Sequence, residues 1–242
     1  MRNPTIPLRV KQQSLVPLVI APTYNAGKHL PELIDRVSKA YSLKDFLIID
    51  DGSSDNTHDI LKSSRVNYIR HKTNHGKGVA LQSGYTWAKK HGYDAVISID
   101  SDLQHAPEEL AEMLRVYTEF RPGVIIGSRF CIRKDSVKER GMPLDRLITN
   151  NLTSLVISIF SGQKVRDSQS GFRLVTLSAL SRLRVKSLGY MFESESLFQM
   201  GALGIKIEES SISVIYEDSV SYINPFKDTI RFLRLIWRRF WY

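Results

Sequence analysis

Five short apolar runs, most of them ending in a polar cluster and separated by helical patterns, restrict this 242-residue chain to a layered α/β fold. Residues 15–21 are almost wholly apolar and stop at Pro22-Thr23-Tyr24-Asn25. Phe46-Leu47-Ile48-Ile49 stops at Asp50-Asp51-Gly52, residues 95–99 stop at Asp100, and Val124-Ile125-Ile126 stops at Gly127-Ser128-Arg129. Residues 66–70 read as a further strand. Between the runs, residues 29–41 place Leu30, Leu33, Ile34 and Val37 at helical spacing. Residues 76–90 predict a helix with Val79, Ala80, Ser83, Gly84, Trp87 and Ala88 on one face, stopped by Gly92. Pro107 sits in a first helical turn with Glu108 and Glu109, whose charges suit that end of the helix dipole. Such alternation predicts an open, mostly parallel sheet with helices on both faces. Ligands bind such sheets beyond the carboxyl ends of the strands. Four polar clusters then converge on one edge.

The acids at those strand ends carry chemistry. Asp100-Ser101-Asp102 presents two carboxylates one residue apart, a pattern suited to a hard divalent cation such as Mg²⁺ or Mn²⁺, with Gln104 as a neutral oxygen nearby. By itself the pair could equally end a strand and cap a helix. Asp50 and Asp51 form a second acidic strand end, able to accept from a nucleobase N–H or a ribose hydroxyl; Asp55 is explained by capping alone. Asn74-His75-Gly76-Lys77-Gly78 puts glycines and a lysine at a helix start, a place suited to anions. It is neither a Walker A loop, for want of Ser/Thr after Gly-Lys, nor a dinucleotide fingerprint.

Composition and charge exclude other classes. A 42% hydrophobic content supports a sizeable core, and one cysteine, Cys131, rules out an intrachain disulfide framework and fits a reducing compartment. The start of the chain has no apolar run of a secretory leader, and no stretch approaches the roughly 20 apolar residues that span a bilayer. The expected location is cytoplasmic. The net charge of +9 favours an anionic partner, and residues 219–242 hold five Lys/Arg against one acid. There, Lys227, Arg231, Arg234 and Arg238 form one stripe after Asn224-Pro225, and Phe226, Ile230, Leu233 and Trp237 form another. A basic amphipathic helix of this kind suits the surface of an anionic membrane, or docks on the core or a second subunit. Residues 144–160 carry a further apolar stripe, Ile148, Leu152, Leu155, Val156 and Ile159, which is expected to pack on the core; lipid or an acceptor chain is the alternative. Residues 130–141 form a charged loop.

Read in order, these segments resemble the family-2 glycosyltransferases of the GT-A nucleotide-diphospho-sugar transferase fold, and within them the dolichyl- and polyprenyl-phosphate sugar synthases. The matching pieces are Pro22-Thr23-Tyr24-Asn25, Asp50-Asp51-Gly52-Ser53-x-Asp55, Asn74-x-Gly76-Lys77-Gly78 and Asp100-x-Asp102-Leu103-Gln104-His105, then Gly127-Ser128-Arg129 and Asp167-x-x-Ser170-Gly171-Phe172-Arg173. The resemblance implies a catalytic domain over residues 15–216, after an extension over 1–14 and before the basic segment 217–242. It implies that Pro22, Tyr24, Asp50 and Asp51 hold the nucleotide, that Lys77, Ser101 and Arg129 face the nucleotide-sugar, and that Asp100, Asp102 and Gln104 hold the metal and diphosphate. Asp167 and Arg173 would shape the sugar or acceptor side. Asp102, Arg129 and Asp167 are the implied catalytic residues, in an inverting, metal-dependent transfer from a GDP- or UDP-sugar.

The acceptor is either a polyprenyl phosphate at the cytoplasmic membrane face or a sugar hydroxyl of a glycan or lipid-linked saccharide. A lipid phosphate needs no deprotonation. A hydroxyl needs a base, for which Asp167 is the first candidate and Glu193 or Glu195 the second. Ala26, where the family often has Glu, and Tyr216-Glu217-Asp218-Ser219, where the lipid-phosphate synthases carry a basic motif, depart from the pattern. A nucleic-acid-binding module would use the charge, but it leaves the acidic strand ends unexplained and lacks an aromatic-basic motif. A sugar-nucleotide pyrophosphorylase would need a Gly-rich basic signature where Pro22-Thr23-Tyr24-Asn25 stands.

Overall fold

The computed structural model describes residues 16–131, 144–187, 189 and 191–213, without the side chain of Asp145. The charged loop beyond Cys131 and the basic C-terminal segment lie outside the described residues. Among the described residues are β1 (Leu18–Thr23), α1 (Leu30–Ala40), β2 (Phe46–Asp50), α2 (Thr57–Ser63), β3 (Asn67–Arg70), α3 (Lys77–Lys90) and β4 (Ala95–Ser98). These are followed by α4 (Leu110–Phe120), β5 (Val124–Ser128), α5 (Leu144–Ser161), β6 (Arg173–Thr176), α6 (Leu177–Leu180), α7 (Met191–Ala202) and β7 (Ile207–Ser211).

The strands make one sheet in the order β3-β2-β1-β4-β6-β5-β7. The apolar runs are continuous because helices cover both faces, so successive side chains alternate between two cores. Val19 and Ala21 of β1 join Leu30, Leu33 and Val37 of α1 and Leu110, Met113 and Val116 of α4 on one face. Leu18 and Ile20 join Ala80, Leu81 and Ala88 of α3 on the other. The buried side of α3 is centred on Ala80, Leu81, Gly84 and Ala88. Gly84 lets the helix lie close to the sheet, since a Cβ there would stand 2.8 Å from Ile20 Cδ1.

The expected parallel sheet is interrupted once. β6 inserts antiparallel between β4 and β5, pairing Ser98 with Arg173 on one side and Ile126 with Arg173 on the other. β5 and β7 then pair in parallel. Because β6 runs backwards, its N-terminal end meets the edge where β1, β2, β4 and β5 finish. Residues 167–172 are thereby delivered to that edge.

Helix α5 corrects the expectation of core packing for its apolar stripe. Leu144, Ile148, Leu152, Leu155 and Ile159 are 40–75% exposed. The opposite, polar face points inward: Thr149, Asn150, Thr153 and Ser154 are each at most 3% exposed. The reason is hydrogen bonding to the segment that precedes β6. Asn150 Nδ2 donates to the Arg166 carbonyl at 3.0 Å, and its Oδ1 accepts from Gln169 N–H at 3.2 Å. Thr153 and Ser154 hydroxyls bond the Ser168 hydroxyl at 2.6 and 3.0 Å, and Ser158 Oγ accepts from Val165 N–H. Ile157 and the partly buried Val156 put apolar surface into the core beneath, and the half-exposed Phe160 ring meets Phe198 edge-on at 5.5 Å.

This inversion predicts an unusual pair of stabilities. Asn150→Leu should destabilise the protein by about 2–4 kcal/mol by orphaning two buried backbone groups. Leu155→Ser should change it by less than about 0.5 kcal/mol. Denaturant unfolding of the two variants checks both values.

Candidate active site

The loops after β1 and β2 are tied to each other by side chains that mimic backbone. Asn25, in the left-handed region at φ 50°, accepts from Ser54 N–H through Oδ1 while its own N–H donates to Ser53 Oγ. Asp55 accepts from Gly27 N–H and from Thr57 N–H, the first of α2, so it joins the two loops, while the N-cap position itself is Asn56. Tyr24 stands beside them with 49% exposure, an open ring at the strand edge. Pro22 is instead a buried strand residue paired in register with Ile49.

The two acids of the second cluster differ. Asp50 is fully buried; it accepts from Ser53 N–H, and its other oxygen lies 3.4 Å from Arg70 Nε. Asp51 accepts from the backbone N–H of His75 and of Gly76, at 3.0 and 2.6 Å, and faces His71 Nδ1 at 2.6 Å. His71 in turn reaches Ser83 on α3 at 2.9 Å. Asp51 therefore anchors the start of α3, and with it Lys77, against the end of β2. Gly52 makes this possible: at φ +75° it is in the left-handed region, and a Cβ would stand 2.5 Å from the Thr73 carbonyl carbon.

Lys77 delivers its ammonium to the third cluster, 2.6 Å from Asp100 Oδ1 and 3.1 Å from Glu193 Oε2 at the start of α7. Burial disfavours the charge on Lys77, but Asp100 and Glu193 outweigh it and raise its pKa. Burial likewise opposes ionisation of Asp100, and Lys77, His105 and Arg173 reverse that to hold it below the usual carboxylate range. Asp102 goes the other way: lost hydration in the cleft and the neighbouring Asp100 charge raise it, although its Oδ1 accepts from Gln104 N–H at 3.1 Å. Between Asp102 and Gln104, Leu103 adopts φ 62°. Gly171 closes the cluster from β6; a Cβ there would stand 2.7 Å from Lys77 Nζ and collide with Asp100.

The fourth cluster lies at the end of β5. Arg129 Nε and Nη2 each donate to Asp167 at 2.7 Å, and the Arg129 N–H adds a third bond at 3.0 Å. The Asp167 carboxylate is fully buried, whereas the Arg129 side chain keeps 15% exposure. His105 links this cluster to the last, since its ring lies in the fields of Asp100, Arg129, Lys77 and Asp167.

Arg173 is brought to the same edge, yet its guanidinium is enclosed. It is 4% exposed and donates to the carbonyls of Ser170, Glu193 and Ser168 at 2.6–2.7 Å. It braces the site rather than facing a sugar. Glu195 is likewise occupied, by Lys186 and Ser187 N–H and by Gln199. Glu193 differs, because its Oε1 is buried without a hydrogen-bond partner.

The donor set fits a hard cation. Two carboxylates that repel each other, one raised in pKa by the other, gain from a divalent charge between them, and phosphate oxygens and water would complete its shell. Among the described residues no group of three or more His, Cys, Asp and Glu side chains forms a ready-made metal cage. Sequence reasoning missed the bracing by His71 and Ser83. Neither residue stands in a motif, and only the helix–strand contact brings them to Asp51.

Comparison with known proteins agrees with this arrangement. A family model described as "Glycosyl transferase family 2" matches residues 18–184. The undecaprenyl-phosphate mannosyltransferase of Micrococcus luteus is 31% identical over 206 residues, covering 82% of this chain and 83% of its own. The UDP-N-acetylglucosamine–dolichyl-phosphate N-acetylglucosaminyltransferase of Methanococcus voltae is 29% identical, covering 83% and 86%. Among solved structures, glucosyl-3-phosphoglycerate synthase of Mycobacterium tuberculosis, in complex with Mn²⁺, UDP and its product, superposes with a TM-score of 0.68 at 18% identity. That match covers 91% of this chain and 78% of the synthase, and it shows the shared GT-A fold.

His105 supplies a test of the site's electrostatics. Burial, opposed by Asp100, lowers its pKa to about 4 from 6.5. Between those values the unfolded chain binds a proton that the folded chain does not. This stability is thus complete above pH 6.5 and is lost as pH falls towards 4, a loss of about 3 kcal/mol. Unfolding midpoints measured across this range without divalent metal should follow that slope, and His105→Gln should flatten it.

Proposed function

The chain belongs to glycosyl transferase family 2, and from that premise we propose that it moves a hexose-type sugar from a GDP- or UDP-sugar to a polyprenyl phosphate at the cytoplasmic membrane face. The observation that carries this reading is the commitment of Asp167 to Arg129 by three hydrogen bonds. The acid suggested as a base is thereby removed from base chemistry, which fits an acceptor that arrives already ionised. A phosphate monoester, with a second pKa of about 6, is such an acceptor. Relatives named for transfer to undecaprenyl and dolichyl phosphate support the same acceptor class.

In this mechanism Asp100, Asp102 and Gln104 would hold a divalent cation with the donor diphosphate, and when bound it would supply charge neutralisation for the departing nucleoside diphosphate. Tyr24, exposed at the β1 edge, stacks on or flanks the base. Asp51 sets the loop against which the nucleotide lies. Lys77 keeps Asp100 ionised and oriented. Arg129, held planar and in register by buried Asp167, presents its guanidinium to phosphate and stabilises negative charge where it builds. The lipid phosphate oxygen attacks the anomeric carbon from the face opposite the leaving group. As the new C–O bond forms, the bond to the diphosphate breaks and its electron pair leaves with the nucleotide. No proton is transferred and the anomeric centre inverts.

One observation favours the second acceptor class. Glu193, whose Oε1 is buried without a hydrogen-bond partner while its Oε2 lies 3.1 Å from Lys77 Nζ, is the base that a sugar hydroxyl would require.

The test is nucleoside diphosphate release from UDP- and GDP-sugars by the full chain, with Mg²⁺ or Mn²⁺, on polyprenyl phosphate and on sugar-hydroxyl acceptors. Transfer to the lipid phosphate should disappear with chelator and fall about 10²–10³-fold in Asp102→Asn and Arg129→Gln. Glu193→Gln should leave lipid-phosphate transfer within about tenfold of normal. Release only with hydroxyl acceptors, and its loss in Glu193→Gln, would replace this reading with the second.

A further inference from the structure

Helix α5 is built the wrong way round for a protein surrounded by water. Its inward face is polar, and its outward face exposes Leu144 at 75%, Ile148 at 65%, Leu152 at 40%, Leu155 at 56% and Ile159 at 68%. Residues 147–161 contain no charged side chain, so nothing on the outer face compensates. The described helices that pack into the other core behave normally: α4 buries Leu110, Met113 and Val116 and exposes Arg115 and Thr118. A contiguous apolar face of this kind marks an interaction surface.

We propose that the outward face of α5 is the surface on which this protein meets an anionic bilayer, with the helix lying along the headgroup boundary. The inference deepens the lipid-phosphate reading and rests on it. Three observations select a bilayer as the occupant. First, the charge-free span is bracketed by basic residues, Arg146 at its start and exposed Lys164 beyond its end, the pattern in which apolar side chains enter the membrane and cations meet its headgroups. Second, the charge of the chain is complementary to anionic headgroups: its sequence carries +9, with five Lys/Arg against one acid in residues 219–242. Third, the inner face of the same helix grips the site. Asn150 holds the Arg166 carbonyl and the Gln169 N–H, and Thr153 and Ser154 hold Ser168. Asp167, the partner of Arg129, lies inside that grip. One helix thus has lipid on its outer side and the Arg129 pair on its inner side, which sets the phosphate-facing guanidinium near headgroup depth. Among the described residues no helix is long and apolar enough to cross a membrane, consistent with contact along the surface.

The full chain is mixed with vesicles of phosphatidylcholine, with or without phosphatidylglycerol and with no polyprenyl phosphate, and the bound fraction is measured by sedimentation. Ile148→Glu/Leu155→Glu should weaken binding to the phosphatidylglycerol vesicles by about tenfold or more. Thr118→Glu, on the opposite side of the sheet, should change it by less than about threefold. Ile148→Ser/Leu155→Ser serves if the acidic pair fails to fold, and should weaken binding in the same direction. Transfer to a short-chain, water-soluble polyprenyl phosphate should be unchanged in the α5 variants; that arm reads the acceptor independently of docking. Unchanged vesicle binding overturns the proposal. If it is accompanied by a lower melting temperature without vesicles, α5 seats the C-terminal segment instead; if by conversion of a dimer to a monomer, it seats a second copy. An equal loss in Thr118→Glu also overturns it, by reducing the effect to net charge.

Discussion

The guanidinium of Arg173 is the tie on which the polar edge of the sheet depends. A buried charge is strongly unfavourable unless its donors are met, and here each of the three guanidinium nitrogens donates to a carbonyl: Ser168, Ser170 and Glu193. Those carbonyls belong to the segment before β6 and to the first turn of α7. The tie therefore fixes the loop that carries Asp167 and Gly171, and the helix start that carries Glu193. From the other side α5 grips the same loop with neutral polar groups. A segment with little apolar surface of its own is thus positioned by hydrogen bonds on both flanks.

The electrostatics follow from that positioning. Gly171 leaves room for Lys77 against Asp100, and Glu193 shares the ammonium. Asp100 is consequently held ionised while Asp102, with one backbone donor and a like charge beside it, is pushed towards protonation. A pair so arranged has one carboxylate already held ionised and one that would gain most from a nearby positive charge. At the neighbouring strand end the charges are matched in advance, because buried Asp167 is devoted to Arg129. The edge therefore combines a guanidinium matched by buried Asp167 with a carboxylate, Asp102, that lost hydration and the Asp100 charge hold above its ordinary pKa.

Helix α5 illustrates how periodicity can be read correctly and assigned to the wrong face. The stripe of Ile148, Leu152, Leu155 and Ile159 was legible, and ordinary core packing was the expected use. Its opposite face offered Thr149, Asn150, Thr153 and Ser154, and the segment beneath offered unpaired backbone groups. Matching those groups inside outweighed burying the stripe, since an unpaired buried amide loses more than an exposed leucine does.

The sequence by itself determined the alternation of strands and helices, the burial of β1, β2, β4 and β5 on both faces, and the polar clusters at their carboxyl ends. These are local matters: apolar runs, turn residues and caps act over a few positions and point the same way wherever the chain goes. The tertiary structure decided that β6 enters backwards, that Arg173 is enclosed and Asp167 is committed to Arg129, and that Asp51 is braced through His71 and Ser83. It also decided which face of α5 points outward. Apart from Ser168 and Ser170, which lie 5 and 3 residues from Arg173, these depend on partners 12 to 75 residues away, and no spacing along the chain encodes which of several competent polar groups will find the other first.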